Sequence, residues 1–392
     1  MTDAPGTTHQ APTERRSPLD EVHRAEGASF TDFAGWQMPV RYSSDLAEHH
    51  AVRQHAGLFD LSHMGEIVVV GPEAPDALDY ALAGKLSAIA EGQAKYSLLL
   101  ARDGGVIDDL VVYRTGEDRY MVVANAANRH VVAEELRART APFETEVFDE
   151  SDDIALIALQ GPESLEVLQQ TEGFGIDGPG NDEEDFVAAV AAMKYYRALP
   201  ATFQGVPVLV ARTGYTGEDG FELYVAPERA RTLWDALRET GGPRVVPCGL
   251  ASRDTLRLEA GMPLYGHELG RDVFPVQAGL GRVVALSKEG DFVGREAIEQ
   301  GPADDAPVLV GLTAEGRRAP RAGYAVFDGD GDDARRVGEI TSGALSPTLG
   351  YPIAMAFVAH DVSDPGVTLF VDVRGTRMPA SVTALPFYKR GA

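Results

Sequence analysis

Residues 104–113 read GGVIDDLVVY, and no other stretch restricts the fold as tightly. Two glycines turn the chain, and Val106, Ile107, Leu110, Val111 and Val112 then make an apolar run that predicts a mostly buried β-strand. Two adjacent carboxylates, Asp108 and Asp109, are set into it. Side chains alternate along a strand, so the two Asp point to opposite faces of whatever sheet forms. A carboxylate driven toward an apolar interior is costly unless it is hydrogen-bonded or paired, and that cost is rarely carried without a use. The plainer alternative is that both acids end a strand and satisfy turn amides.

Around this strand the apolar spacing predicts a succession of elements. Residues 66–70 read as a strand, 74–86 as an amphipathic helix, 94–101 and 119–125 as further strands, 128–140 as a helix and 143–148 as a last strand. That order fits a split β-α-β unit with its helices on one face. A second, similar unit follows: a strand over 154–160, a helix over 162–170, an acidic loop over 180–186, strands over 206–212 and 221–226, and a helix over 227–240. Two such open sheets leave a cleft where they meet, a usual place for a ligand. From residue 307 short strands are separated by Gly, Asp and Pro, which indicates a small all-β barrel or sandwich. The expected class is α+β, with a disordered tail over 1–17, a first unit over 18–150, a second over 151–300 and a β domain over 301–392.

The chain has 392 residues, more than one typical core, so several domains are expected. No apolar run approaches the roughly 20 residues of a membrane span, and no basic stretch followed by a hydrophobic core opens the sequence. These features predict a cytoplasmic protein without a membrane partner. A single cysteine, Cys248, excludes an intrachain disulfide and any multi-cysteine metal site. The net charge of −25, with only five lysines among the basic residues, argues against nucleic acid. Such self-repulsion is relieved at about 1 M salt, where the Debye length falls to about 3 Å, and a salt-rich, halophilic cytoplasm is expected.

Other segments carry chemistry. TGYTGEDGFEL (213–223) lacks the spacing and the lysine of a phosphate loop, but its glycines can turn a hairpin that presents Tyr215 and Glu222. A Glu aimed into a cleft suits an amino-pyrimidine edge, since one carboxylate accepts two parallel N–H donors. CGLASRDTLRLEAGMPLYG (248–266) reads as a helix ending at Gly261, with Arg253 and Arg257 on one face and Asp254 and Glu259 able to neutralise them. An arginine fork matches a ligand carboxylate, or else makes a salt bridge between domains. SHM (62–64) offers a hydroxyl, an imidazole and a thioether, without a nucleophile-elbow pattern around the serine. His63 reads as a structural histidine. His49 and His50 diverge by about 100° on a helix and do not share a metal. Residues 340–354 have the turn chemistry of a loop that could close over a cleft.

FAGWQMPV, FDLSHM, GGVIDDLVVY, ALQGP, TGYTGEDGFE, CGLASRDTLRLEAGMPLYG, FVGREA and TSGALSPTLGYPIA occur in this order, and together they resemble the glycine cleavage T-protein (aminomethyltransferase) family. The resemblance runs from about residue 19 to 387. It implies three domains in a cloverleaf-like arrangement around a central channel. It also implies transfer of a methylene group from an aminomethyl-lipoyl arm, carried by a lipoylated H-protein, to tetrahydrofolate as co-substrate, with release of ammonia and no metal. Carried over by position, Asp109 resembles the family's catalytic aspartate and Asp108 its structural neighbour. Glu222 and Arg253 match folate contacts, and Met64, Tyr96, Asn125 and Tyr215 lie in motifs that line the folate cavity. An aromatic that follows the central helix in relatives is replaced in GLGRVVAL (279–286). H-proteins are usually acidic, and the densest basic segment that could dock one holds Arg317, Arg318 and Arg321, with Arg335 and Arg336 nearby. Two other readings share the implied fold: a folate-dependent demethylase of a small methylated amine or sulfur compound, and a folate-binding iron–sulfur assembly or tRNA-modification factor. The latter carries a Cys in a short Gly-rich motif, which VPCGL is not.

Overall fold

A computed structural model describes residues 14–176 and 183–391. The Asp-Asp strand, Val106–Gly116, is the second of a five-stranded antiparallel sheet. Its neighbours are Gln93–Leu100 and Arg119–Ala124, and Gly65–Val70 and Glu146–Asp149 complete the sheet. Ile67, Val69, Leu99, Leu110 and Val112 pack beneath the helices Ala74–Ala81 and Arg129–Thr140, so this face is closed to ligand.

The second sheet has seven strands. In spatial order these are Phe174–Ile176, Ala198–Phe203, Val206–Ala211, Gly220–Val225, Ala155–Gln160, Ala56–Asp60 and Val245–Pro247. Its helix-covered face buries Trp234 of the helix Pro227–Gly241, where proline stands at the start because its missing N–H has no helical partner to lose. A fully buried large apolar side chain of this kind contributes about 1.5–3 kcal/mol. The other faces of the two sheets pack against each other through Phe59, Val68, Met121, Leu156 and Ala158.

Six strands between Val308 and Thr383 close the C-terminal barrel. It packs on the central helix, Leu250–Glu259, where Leu258 meets Ala344, Ile353 and Met355.

Four sequence expectations are corrected. Residues 14–17 are ordered rather than a disordered tail. Arg15–Arg16 pairs with Trp36 and Gln37, and Ser17 is buried against Asp60, while residues 1–13 lie outside the described part. The acidic loop over 180–186 is, from Glu183 on, the first turn of the helix Glu183–Ala192, whose exposed carboxylates suit a helix N-terminus; residues 180–182 lie outside the described part. Ala56–Asp60, which the sequence grouped with the first unit, is a strand of the second sheet, because all five of its residues are buried and need partners on both edges. Residues 340–354 do not cap the cleft. Ser346 and Thr348 instead donate to Glu259, which fixes the loop on the central helix.

Candidate active site

Two glycines launch the Asp-Asp strand, each for a separate reason. Gly104 sits at φ +91°, and a Cβ on Gly105 would lie 1.8 Å from the carbonyl oxygen of Arg271. A register shift between Leu99 and Leu100 marks a bulge, after which Asp108 lies opposite Leu99 and Asp109 opposite Leu98. Asp108 therefore faces the helices. It is fully buried and accepts from the Asn125 N–H at 3.0 Å, Asn125 Nδ2 at 2.9 Å and Asn128 Nδ2 at 2.7 Å. Burial, with the charge of Asp109 added, pushes its carboxyl up to about 7.

Asp109 faces the other way, into a cavity of about 530 Å³. Tyr96 donates to Oδ2 at 2.9 Å, and Asn125 Nδ2 donates to Oδ1 at 2.9 Å. Burial raises this carboxyl above the usual range, and the two donors partly offset the rise. Asn125 thus binds both acids of the pair.

The opposite wall comes from the second sheet. Gly214 and Gly220 close tightly on the buried Gln160, where a Cβ would lie 2.0 Å and 2.4 Å from its amide atoms. Gln160 Nε2 donates to the Thr213 carbonyl at 3.0 Å, which fixes the loop that carries Thr213 and Tyr215. Glu222 accepts on Oε2 from Thr213 Oγ1 at 2.5 Å and from Tyr113 at 3.3 Å. The fork of two free oxygens expected from the sequence is therefore not available, since Oε2 is already occupied.

Arg253 lies over the Tyr215 ring, 5.0 Å from its centroid, and its buried Nη1 has no partner among the described residues. Burial lowers its pKa. Arg257, one turn on, is committed to Glu268, Asp254 and Ser342. Glu259 does not neutralise either arginine, as the sequence had suggested; it pairs with Arg53 at 2.8 Å and His49 at 3.2 Å.

Met64, Tyr96, Asn125, Tyr215, Glu222 and Arg253 all line the cavity that Asp109 enters. Leu280, within the segment 279–286, does too. His63 is more than structural filler, because its ring lines the cavity with Nδ1 buried and unpartnered among the described residues. Burial holds that imidazole down at about 4, so it is neutral at pH 7. The sequence reading missed Tyr113, Thr213, Tyr196 and Tyr224 as cavity residues. Tyr113 was within reach, since it stands four residues after Asp109 on the same strand and shares its face.

Arg317, Arg318 and Arg321 are exposed and far in sequence from the cavity-lining segments. Arg321 donates to the Gly343 carbonyl. Arg335 pairs with Asp328 and Asp361, and Arg336 with Glu339, so those two add no free positive charge.

Residues 19–288 match the GCVT N-terminal domain, and residues 308–389 match the glycine cleavage T-protein C-terminal barrel domain. The chain is 60% identical over 378 residues to an aminomethyltransferase of Cutibacterium acnes, with 96% of this chain and 99% of that one covered. It is 54% identical over 382 residues to an aminomethyltransferase of Streptomyces avermitilis, covering 96% and 98%. The crystal structure of glycine cleavage system aminomethyltransferase T from Bartonella henselae superposes with a TM-score of 0.85 at 36% identity, covering 96% of this chain and 99% of that one.

Proposed function

The chain belongs to the glycine cleavage T-protein family, and on that premise we propose that it moves the methylene carbon of an aminomethyl-lipoyl arm, borne by an H-protein, to tetrahydrofolate. Ammonia leaves and 5,10-methylenetetrahydrofolate is formed. The observation that carries this reading is the cavity of about 530 Å³ with a part-buried carboxylate, Asp109, on one wall and, among its other lining residues, Glu222 and Arg253, whose Nη1 has no partner among the described residues.

The bond changes define what the protein must supply. The carbon leaves a sulfur and an ammonia nitrogen and gains bonds to two folate nitrogens, each of which gives up a proton. One proton ends on the released sulfur, and the other is relayed by a base to the departing nitrogen, which leaves as ammonia. Asp109, raised by burial and held by Tyr96 and Asn125, stands in this reading where it orients those nitrogens and takes or relays that proton. Glu222 accepts from the amino edge of the pterin. Arg253, whose Nη1 has no partner among the described residues, meets an anionic or carbonyl acceptor of the same ligand. Arg317, Arg318 and Arg321 form the surface toward the H-protein, and the net charge of −25 makes high salt the working condition in the cytoplasm.

The test is a reconstituted transfer assay in about 1 M salt with aminomethylated H-protein and tetrahydrofolate. Asp109→Asn is expected to lower turnover about 10² to 10⁴-fold with tetrahydrofolate still bound. Normal turnover in that variant rejects the role of Asp109, and transfer from a small methylated amine in place of loaded H-protein rejects the proposed substrate.

A further inference from the structure

We propose that Tyr113, backed by Tyr224 and acting with Thr213, is a positioning residue that holds Glu222 so that one carboxylate oxygen alone is open to the ligand. The inference rests on the folate reading above and extends it to how the ligand edge is selected.

The chain of donors has a direction. The Tyr224 hydroxyl donates to the Tyr113 hydroxyl at 3.2 Å; the Tyr113 proton is shared between Thr213 Oγ1 at 2.9 Å and Glu222 Oε2 at 3.3 Å, and Thr213 Oγ1 donates to that same carboxylate oxygen at 2.5 Å. A carboxylate oxygen offers about two acceptor positions, so Oε2 is filled. Oε1 makes no hydrogen bond among the described residues, and Glu222 lines the cavity. Tyr113, Thr213 and Tyr224 are all buried, and the two tyrosine rings meet edge to face with centroids 5.8 Å apart. Burial, and then the charge of Glu222, raises the Tyr113 phenol well above its ordinary value, so it stays a donor across the pH range in which proteins are folded. A ligand that presents N–H groups to Oε1 is accepted, and one that presents a carbonyl or ring-nitrogen acceptor there meets an unpaired anion.

Tyr113 belongs to the first sheet and Glu222 to the second. Asp109 and Tyr113 share one face of one strand, four residues or about 13 Å apart along it. The hydrogen bond from Tyr113 therefore ties the second wall to the element that carries Asp109, and the spacing between the two acidic groups is set by a strand rather than by a loop.

The experiment measures tetrahydrofolate binding directly and turnover at saturating tetrahydrofolate. It uses the full chain with Tyr113→Phe, Thr213→Val, Thr213→Ser and Glu222→Gln, and the Tyr113→Phe/Glu222→Gln double variant. Tyr113→Phe and Thr213→Val are each expected to weaken binding about 10 to 150-fold, the loss of one hydrogen bond to a charged group, with kcat within about threefold. Thr213→Ser is expected to bind as the unaltered protein does. In the double variant, Tyr113→Phe should add nothing to the effect of Glu222→Gln, because both act through one carboxylate. Additive losses in the double variant, or unchanged binding in Tyr113→Phe while Glu222→Gln binds weakly, overturn the positioning role alone. Unchanged binding in Glu222→Gln overturns the pterin contact on which it rests.

Discussion

The hydroxyl of Tyr96 lies 2.9 Å from Oδ2 of Asp109 and donates to it across the first two strands of the five-stranded sheet. The same pairing raises the tyrosine's own pKa well above its ordinary value, after burial, so the phenol remains protonated while the carboxylate changes state.

Removing that donor should move the acid limb of activity. A hydrogen bond to a charged group contributes about 1.5–3 kcal/mol, and one pKa unit corresponds to about 1.4 kcal/mol. In Tyr96→Phe the Asp109 carboxyl, already raised by burial, is expected to rise further, because a donor that favours its charged form is gone. A pH profile of kcat/KM checks this. An acid limb that stays in place separates Asp109 from the titrating group.

Arg253 is a half-buried cation whose buried Nη1 has no hydrogen-bond partner among the described residues. Holding such a group is a cost to the empty protein. Arg253→Met should raise the melting temperature of the ligand-free chain and weaken tetrahydrofolate binding by at least about tenfold, the trade-off of a residue kept for its ligand. Calorimetry with and without tetrahydrofolate reads both, and a lowered melting temperature with unchanged binding would assign the residue to structure instead.

The cluster around Glu259 is the opposite case. Burial alone would raise this carboxyl, but hydrogen bonds from His49 and Ser346 and the charge of Arg53 outweigh it and hold it at about 2. A group lowered on folding contributes stability that is present above its unfolded value, about 4.3, and lost as pH falls through the folded one. Glu259→Gln is expected to cost about 3–5 kcal/mol near pH 7, as for one partner of a buried pair, and the gap from the unaltered protein should narrow between about pH 4.5 and 2. Urea unfolding at stepped pH measures it, and a gap that is constant with pH would mean the loss is packing rather than charge.

Arg317, Arg318 and Arg321 test the docking surface. Replacing all three by Ser is expected to raise KM for loaded H-protein several-fold, with KM for tetrahydrofolate unchanged and the effect fading as salt is added. Equal changes for both substrates would remove this loop from the interface.

Much of the fold was legible because its signals are local. The alternation in the Asp-Asp strand placed Asp108 and Asp109 on opposite faces, and the structure puts one against Asn128 and the other in the cavity. The glycines around residue 104 and in 214–220 announced tight turns, although only the packing shows that they make room for Arg271 and Gln160. Helical periodicity found the helices at 129–140 and 227–241 to within a residue or two. Ala198–Phe203 went unread because Pro200 interrupts its pattern, and its pairing with two neighbouring strands is what makes it a strand.

The amino-acid order by itself placed most of the strands and turns and set the two acids on opposite faces, since alternation and turn chemistry act over a few residues; that Asp109 is the one in the cavity is decided by how the sheets pack. Tertiary structure alone decided who bonds to whom. Glu259 took Arg53, 206 positions away, over Arg257 two positions before it, and Glu222 gave one oxygen to Tyr113, 109 positions away. A buried charge must find donors wherever the packed elements bring them, and desolvation penalises every arrangement that leaves it unpaired. No local pattern carries that choice.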